Sequence, residues 1–152
     1  MERQRTTQSR KLSPEEFQKF LELIDSLELE DITVMKMSFE LLSPLEEGTV
    51  AIKIGERAGS PQRKGEKLEI PQAFAITVEQ KEEEKLRFRV EYLLTFSVAR
   101  DETVSQALEY EGVTRFFLEQ QVPKLVWPFL REDFHFACSK LGLRPITLKL
   151  RR

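Results

Sequence analysis

From Leu86 to Val98 the chain alternates without a break. Leu86, Phe88, Val90, Tyr92, Leu94, Phe96 and Val98 share one parity, with Arg87, Arg89 and Glu91 on the other. A two-residue period puts the first set on one side of a β-strand and the second on the opposite side. Such a strand belongs to an antiparallel sheet with one face wet and one face covered. The remaining residues must supply the neighbouring strands and the cover.

Three neighbours are readable upstream. Thr33, Met35, Met37, Phe39 and Leu41 alternate with Val34, Lys36, Ser38 and Glu40 as a half-buried first strand. Residues 43–48 are a loop containing Pro44, after which Val50, Ile52 and Ile54 alternate with Ala51 and Lys53 as a second strand. Phe74, Ile76 and Val78 mark a third. Residues 55–67, with Gly59, Pro61 and Gly65, read as a polar connection, and residues 79–85 as a charged hairpin tip.

The cover is helical. Ser13 is an N-cap, Pro14 takes the first helical position, and Glu16 completes a capping box, with Leu12 and Phe17 placed for a hydrophobic staple. Phe17, Phe20, Leu21, Ile24 and Leu27 give that helix one apolar face. Val104, Ala107, Leu108, Phe116 and Phe117 indicate a helix over residues 104–121, weakened at Gly112. Pro123 and Pro128 frame an apolar stretch holding the only tryptophan, Trp127. Pro128 suits the first position of a further helix, Glu132 and Asp133 its positive end, and Lys140 and Gly142 its stop. Leu130, Phe134, Ala137, Cys138 and Leu141 form its apolar stripe, while Phe129 and Phe136 form a second line on another side. A helix apolar on two sides is covered on two sides. In so short a chain, the second cover is a partner subunit, at Phe129, Phe134 and Phe136. Residues 145–150 read as extended.

At 152 residues the chain suits one domain over residues 12–152, its N-terminal helix within 12–29, preceded by a disordered basic tail at 1–11. A formal net charge of −2 gives no nucleic-acid footprint. No apolar run matches a membrane span or a signal peptide. The lone cysteine excludes an intramolecular disulfide and suits a reducing cytosol, so a cytoplasmic location is expected. His135, Cys138, Glu132 and Asp133 fall within two helical turns, but one histidine and one cysteine cannot build a zinc tetrad. Glu46 and Glu47 are a solvated loop pair. With no phosphate loop, nucleophile elbow or dinucleotide fingerprint, neither an enzyme nor a cofactor is expected.

The pattern Pro123, Val126, Trp127, Pro128, Phe129, Arg131, Glu132, followed by Gly142, Pro145, Leu148 and Leu150, resembles the SecB export-chaperone family. Ser38-Phe39-Glu40 and Phe96-Ser97-Val98-Ala99 resemble that family's first and fourth strands, so the likeness spans roughly residues 32 to 150. It implies an α+β fold, a four-stranded antiparallel sheet with long helices on one face, assembled as a dimer or a tetrameric dimer of dimers. The function implied is an ATP-independent holdase that keeps unfolded polypeptides in apolar grooves, with a role in protein export. The resemblance places Val50, Ile52, Ile54, Pro44 and Leu45 along the groove; Met37, Phe39 and Trp127 are further candidates, since such side chains make adaptable apolar surfaces. It makes Glu40 a docking residue for the SecA motor, yet Lys36 and Arg89 reverse the charge at two neighbouring family positions. The family's C-terminal helix is missing and the capped N-terminal helix is an addition. These departures favour a chaperone dedicated to one partner, such as an antitoxin; a non-chaperone protein-interaction adaptor is the other alternative.

Overall fold

The structure is a computed structural model that describes residues 11–149. The expected basic tail therefore lies, except for Lys11, outside the described residues.

Helix α1 (Pro14–Asp25) begins where its capping box requires. Glu16 N–H donates to Ser13 Oγ at 3.1 Å, and Ser13 N–H donates to Glu16 Oε1 at 2.9 Å. The helix is shorter than its apolar spacing suggested. Leu27 opens strand β1 (Leu27–Leu41), because it pairs with Val98 at the far end of the sheet. The other strands are β2 (Ala51–Ala58), β3 (Gln62–Lys64), β4 (Lys67–Gln80) and β5 (Glu83–Val98).

All pairings are antiparallel, in the order β1-β5-β4-β2, and β3 pairs with β4 beyond the end of β2. Lys81 and Glu82, at φ 55 and 62, supply the left-handed pair that the two-residue β4–β5 hairpin needs. The chain after β1 crosses the end of two strands before β2 begins.

Strands β2 and β3 act as one edge strand interrupted opposite Pro71. Gly59 N–H donates to the Pro71 carbonyl at 2.8 Å, so the Pro71 position that lacks an N–H faces this same edge. A Cβ on Gly59 would lie 2.9 Å from Pro71 Cγ, so only glycine passes this close to the ring. The stretch expected to be a polar connection is therefore mostly strand.

The inner face carries Leu68, Ile70, Phe74, Ile76 and Val78 from β4 and Leu86, Phe88, Val90, Tyr92, Leu94 and Phe96 from β5, all buried. The outer face is polar or small-sided except at Leu93, as the alternation of β5 requires. Across the inner face lie α2 (Asp101–Leu108) and a run from Glu111 to Lys140 that forms one 30-residue helix. That run comprises α3 (Glu111–Phe116), a wide π turn at Phe117–Gln121, and α4 (Val122–Lys140).

Pro128 thus stands inside α4 rather than opening it. Pro123 takes the early position, directly after the π turn in which Val122 N–H reaches Phe117 O. The wider turn gives the proline ring room that regular helical spacing denies it. An interior proline costs about 3 kcal/mol or more, and the burial of Val126, Trp127 and Leu130 around Pro128 offsets it. The helix ends as expected: Leu143 N–H bonds Cys138 O at 2.9 Å and Gly142 N–H bonds Ser139 O at 3.0 Å, with Gly142 at φ 75. This is a Schellman stop.

Helix α1 lies against α2 and α3. Phe20 meets Phe116 edge-on at 4.9 Å, and Tyr110 Oη donates to Glu15 Oε1 at 2.9 Å. Phe17 stays exposed rather than burying itself in a staple.

Candidate functional site

The two sets of apolar groove candidates come to opposite edges. Met37 and Phe39 lie on β1, Val50, Ile52 and Ile54 at β2, with β5 and β4 between them. Three inter-strand steps of about 4.8 Å separate the edges. One groove cannot hold both sets.

At the β1 edge, two bulges reset the alternation, at Glu30 and at Met35, which the register skips. Val34 stands opposite Tyr92, Met37 opposite Val90 and Phe39 opposite Phe88, all on the inner face. Thr33 and Met35 drop out of the apolar set, and Val34 joins it. A strict period of two cannot anticipate a bulge. Because α4 lies over the sheet centre, this rim is only half covered: Met37 and Phe39 are half-buried, and Val34 and Met35 are exposed. Phe136 of α4 meets Phe39 edge-on at 6.5 Å.

At the other edge, Ile52 faces Val78 and Ile54 faces Ile76, so both belong to the inner face. Ile52 is half-buried, while Ile54 remains 38% exposed. Val50 and Leu45 are half-buried and pack on the core; Pro44 is exposed. The crossover loop holding them is clamped to the β4–β5 hairpin. Glu46 N–H donates to Gln80 Oε1 and Gln80 Nε2 donates to the Glu46 carbonyl, each at 2.8 Å, so a buried side chain imitates a strand pairing. Ser43 Oγ donates to Glu83 at 2.9 Å, and Lys81 pairs with Glu46 at 2.7 Å. The bond and charge of Lys81 hold the Glu46 carboxyl below its usual range. Next to this edge, a cleft of about 450 Å³ opens between Glu56–Ala58 and Glu111, Thr114, Arg115 and Leu118 of the long helix.

Two candidates lie inside the protein. Trp127 packs on Phe74 at 6.1 Å, and its Nε1–H donates to the Lys149 carbonyl at 2.8 Å. Phe134 is wholly buried against Phe88, 5.4 Å between ring centres, so it offers nothing to a partner subunit. Both follow from the helix crossing the sheet, which the sequence did not reveal. By contrast Phe129 and Phe136 stand 47% and 48% exposed on one line of α4. Cys138 is buried, and desolvation pushes its thiol above the ordinary range; His135 is exposed. Sequence reasoning passed over Val34 and Leu42, two exposed apolar residues flanking the β1 rim. For Val34 the signal was masked by the bulge beside it.

No protein-family model matches the chain, and no curated protein matches it in sequence. Among solved structures, it superposes on the SecB-like chaperone Rv1957 of Mycobacterium tuberculosis, in complex with a ChAD peptide from the Rv1956 HigA1 antitoxin. The TM-score is 0.71 at 11% identity, over 90% of this chain and 99% of that one. The fold is SecB-like. A protein of unknown function from Streptococcus agalactiae also aligns, at TM-score 0.41 and 12% identity over 81% of this chain and 96% of that one.

On the outer face of this SecB-like sheet, Lys36 stands opposite Glu91, Ser38 opposite Arg89 and Glu40 opposite Arg87. Arg87 approaches Glu40 at 3.8 Å and also pairs with Glu84. The charges alternate in sign and neutralise one another, leaving no acidic field around Glu40.

Proposed function

We propose that this SecB-like chain is an ATP-independent holdase, cytoplasmic and oligomeric, that keeps unfolded polypeptides from aggregating. The observation that carries the reading is the uncovered inner-face edge at Ile52 and Ile54 beside the clamped crossover loop. An edge strand offers a client unpaired backbone groups, and its apolar side chains offer burial. A fully buried large apolar client residue contributes roughly 1.5–3 kcal/mol. Ordering the client opposes that gain, so several contacts act together. The β1 rim with Phe129 and Phe136 is a separate apolar surface, suited to a second copy of the chain.

Dedication to one partner is the second reading, favoured because the superposed chaperone is bound to an antitoxin peptide. A protein-interaction adaptor would likewise hold a single partner. The test measures suppression of aggregation of several unrelated unfolded proteins without nucleotide. A general holdase protects them all, and Ile54→Asp abolishes protection while leaving the fold intact, because Ile54 is partly exposed. Protection of none, with tight capture of one co-purifying peptide, favours dedication. Equal protection by Ile54→Asp removes the β2 edge from the site.

A further inference from the structure

Residues 143–149 do not leave the domain. They turn back along α4 without forming helix or strand. The Ile146 backbone lies beside the Cys138 thiol, and the Lys149 carbonyl accepts the Trp127 indole N–H at 2.8 Å, so the segment runs antiparallel to the helix. Leu148 is 3% exposed and belongs to the core, and Leu143 and Ile146 pack against it. Arg144, Pro145, Thr147 and Lys149 face solvent.

How this segment is held sets it apart. Among the described residues, no backbone–backbone hydrogen bond tethers residues 144–149, whereas every strand is closed by a ladder. Among the described residues, its attachment is the insertion of a few apolar side chains plus the bond to the Trp127 indole. Backbone outside any ladder, spaced apolar side chains and basic residues between them are also what an unfolded polypeptide offers to such a surface. The segment binds its own domain with the chemistry of a client.

We propose that residues 143–149 are a displaceable strap that occupies part of the apolar surface and is displaced when a long client binds. The proposal rests on the holdase reading and adds a regulatory step to it. While the strap is docked, apparent client affinity falls by the fraction of molecules in which it is open. Client binding then exchanges one set of extended apolar contacts for another. The Trp127 indole loses its carbonyl partner in that exchange.

The native chain holds one cysteine, Cys138, so Ile146→Cys allows the strap to be locked by a single disulfide and released by reductant. Crosslinking is verified by loss of free thiol, and binding is measured with reduced, carboxymethylated α-lactalbumin as a permanently unfolded probe. The locked form should bind the probe at least about tenfold more weakly than the reduced form, as expected when the competent state is withheld. In the unmodified protein, probe binding should shift Trp127 emission to the red. Leu148→Ser supplies the reciprocal arm, since it weakens docking without touching β2. It should bind the probe more tightly and show red-shifted emission before any probe is added. Equal binding by locked and reduced forms, or weaker binding by a folded Leu148→Ser protein, overturns the strap alone. Absence of binding in every form overturns the holdase reading and the strap with it.

Discussion

The Tyr92 hydroxyl donates to Asp133 Oδ2 at 2.6 Å, tying the middle of β5 to the long helix from inside the domain. Phe74 closes on the same ring, 6.3 Å away, and Trp127 closes on Phe74. The bond therefore fixes where α4 crosses the sheet, and with it which edges stay uncovered.

Burial first, then the bond to Asp133 and the charges of Asp133 and Glu132, push the Tyr92 phenol far above its usual 10.0. The folded state holds this proton more tightly than the unfolded chain. The resulting stability is complete below the unfolded value and is lost as pH rises above about 10 towards the folded value. Tyr92→Phe should cost about 1–2 kcal/mol at neutral pH, the price of a half-buried acceptor losing its donor. It should also flatten the alkaline decline. Urea unfolding at about pH 8 and about pH 11 measures both effects, and an unchanged alkaline slope would count against the bond.

Gly112 lies in the first turn of the long helix, where an added Cβ would sit 2.3 Å from Glu16 Oε2. Replacing a helical glycine by alanine ordinarily stabilises by about 1 kcal/mol. Here the methyl displaces the carboxylate that closes the α1 capping box, a contact worth about 1 kcal/mol. Gly112→Ala should therefore be neutral or destabilising alone and stabilising in a Glu16→Ala background. Thermal melts of the four proteins test that reversal of sign.

What the sequence discloses here depends on how far apart the partners lie. The Ser13–Glu16 box and the Cys138–Leu143 stop were legible because each closes within a few residues. The β5 alternation was legible because the whole strand faces one environment. Pairing of Leu27 with Val98 was not, since no local rule links residues so distant, and it decided both the end of α1 and the strand order. Bulges at Glu30 and Met35 hid Val34 from a period-two reading. Pro128 misled for a different reason: a proline at the start of a helix and one tolerated inside it leave the same local pattern. Of the candidate residues, the shared inner face of Ile52 and Ile54 was legible in the alternation, while the burial of Trp127 and Phe134 needed the crossing of α4 over Phe74 and Phe88.

Phe134 and Phe136 separate folding from the proposed assembly. Phe134→Ala should cost about 3–5 kcal/mol of stability, because it empties a wholly buried site. Phe136→Glu should leave the domain folded, since that side chain is nearly half exposed, but should split the oligomer by placing a charge on its apolar surface. Sedimentation velocity with parallel unfolding curves distinguishes the two. An oligomer unaffected by Phe136→Glu would move the interface away from this line of α4.

The outer face bears on whether this SecB-like chain serves export. A face that docks a basic partner depends on acidic residues for steering and register. Here Lys36 and Arg89 add positive charge, and Arg87 sits 3.8 Å from Glu40, the one acidic docking candidate. A single exposed pair is typically worth under about 1 kcal/mol, too little to offset like charges placed across an interface. Calorimetry at physiological salt should therefore detect weak or no binding to SecA, with client binding intact. The double change Lys36→Asp and Arg89→Glu should strengthen the interaction, more so at low salt, where exposed charges are less screened. Asp at position 36 would face Glu91 across the strand pair, so a folding check must accompany it. Tight binding of SecA by the unaltered protein would mean that recognition does not run through this face at all, because its charges already cancel among themselves.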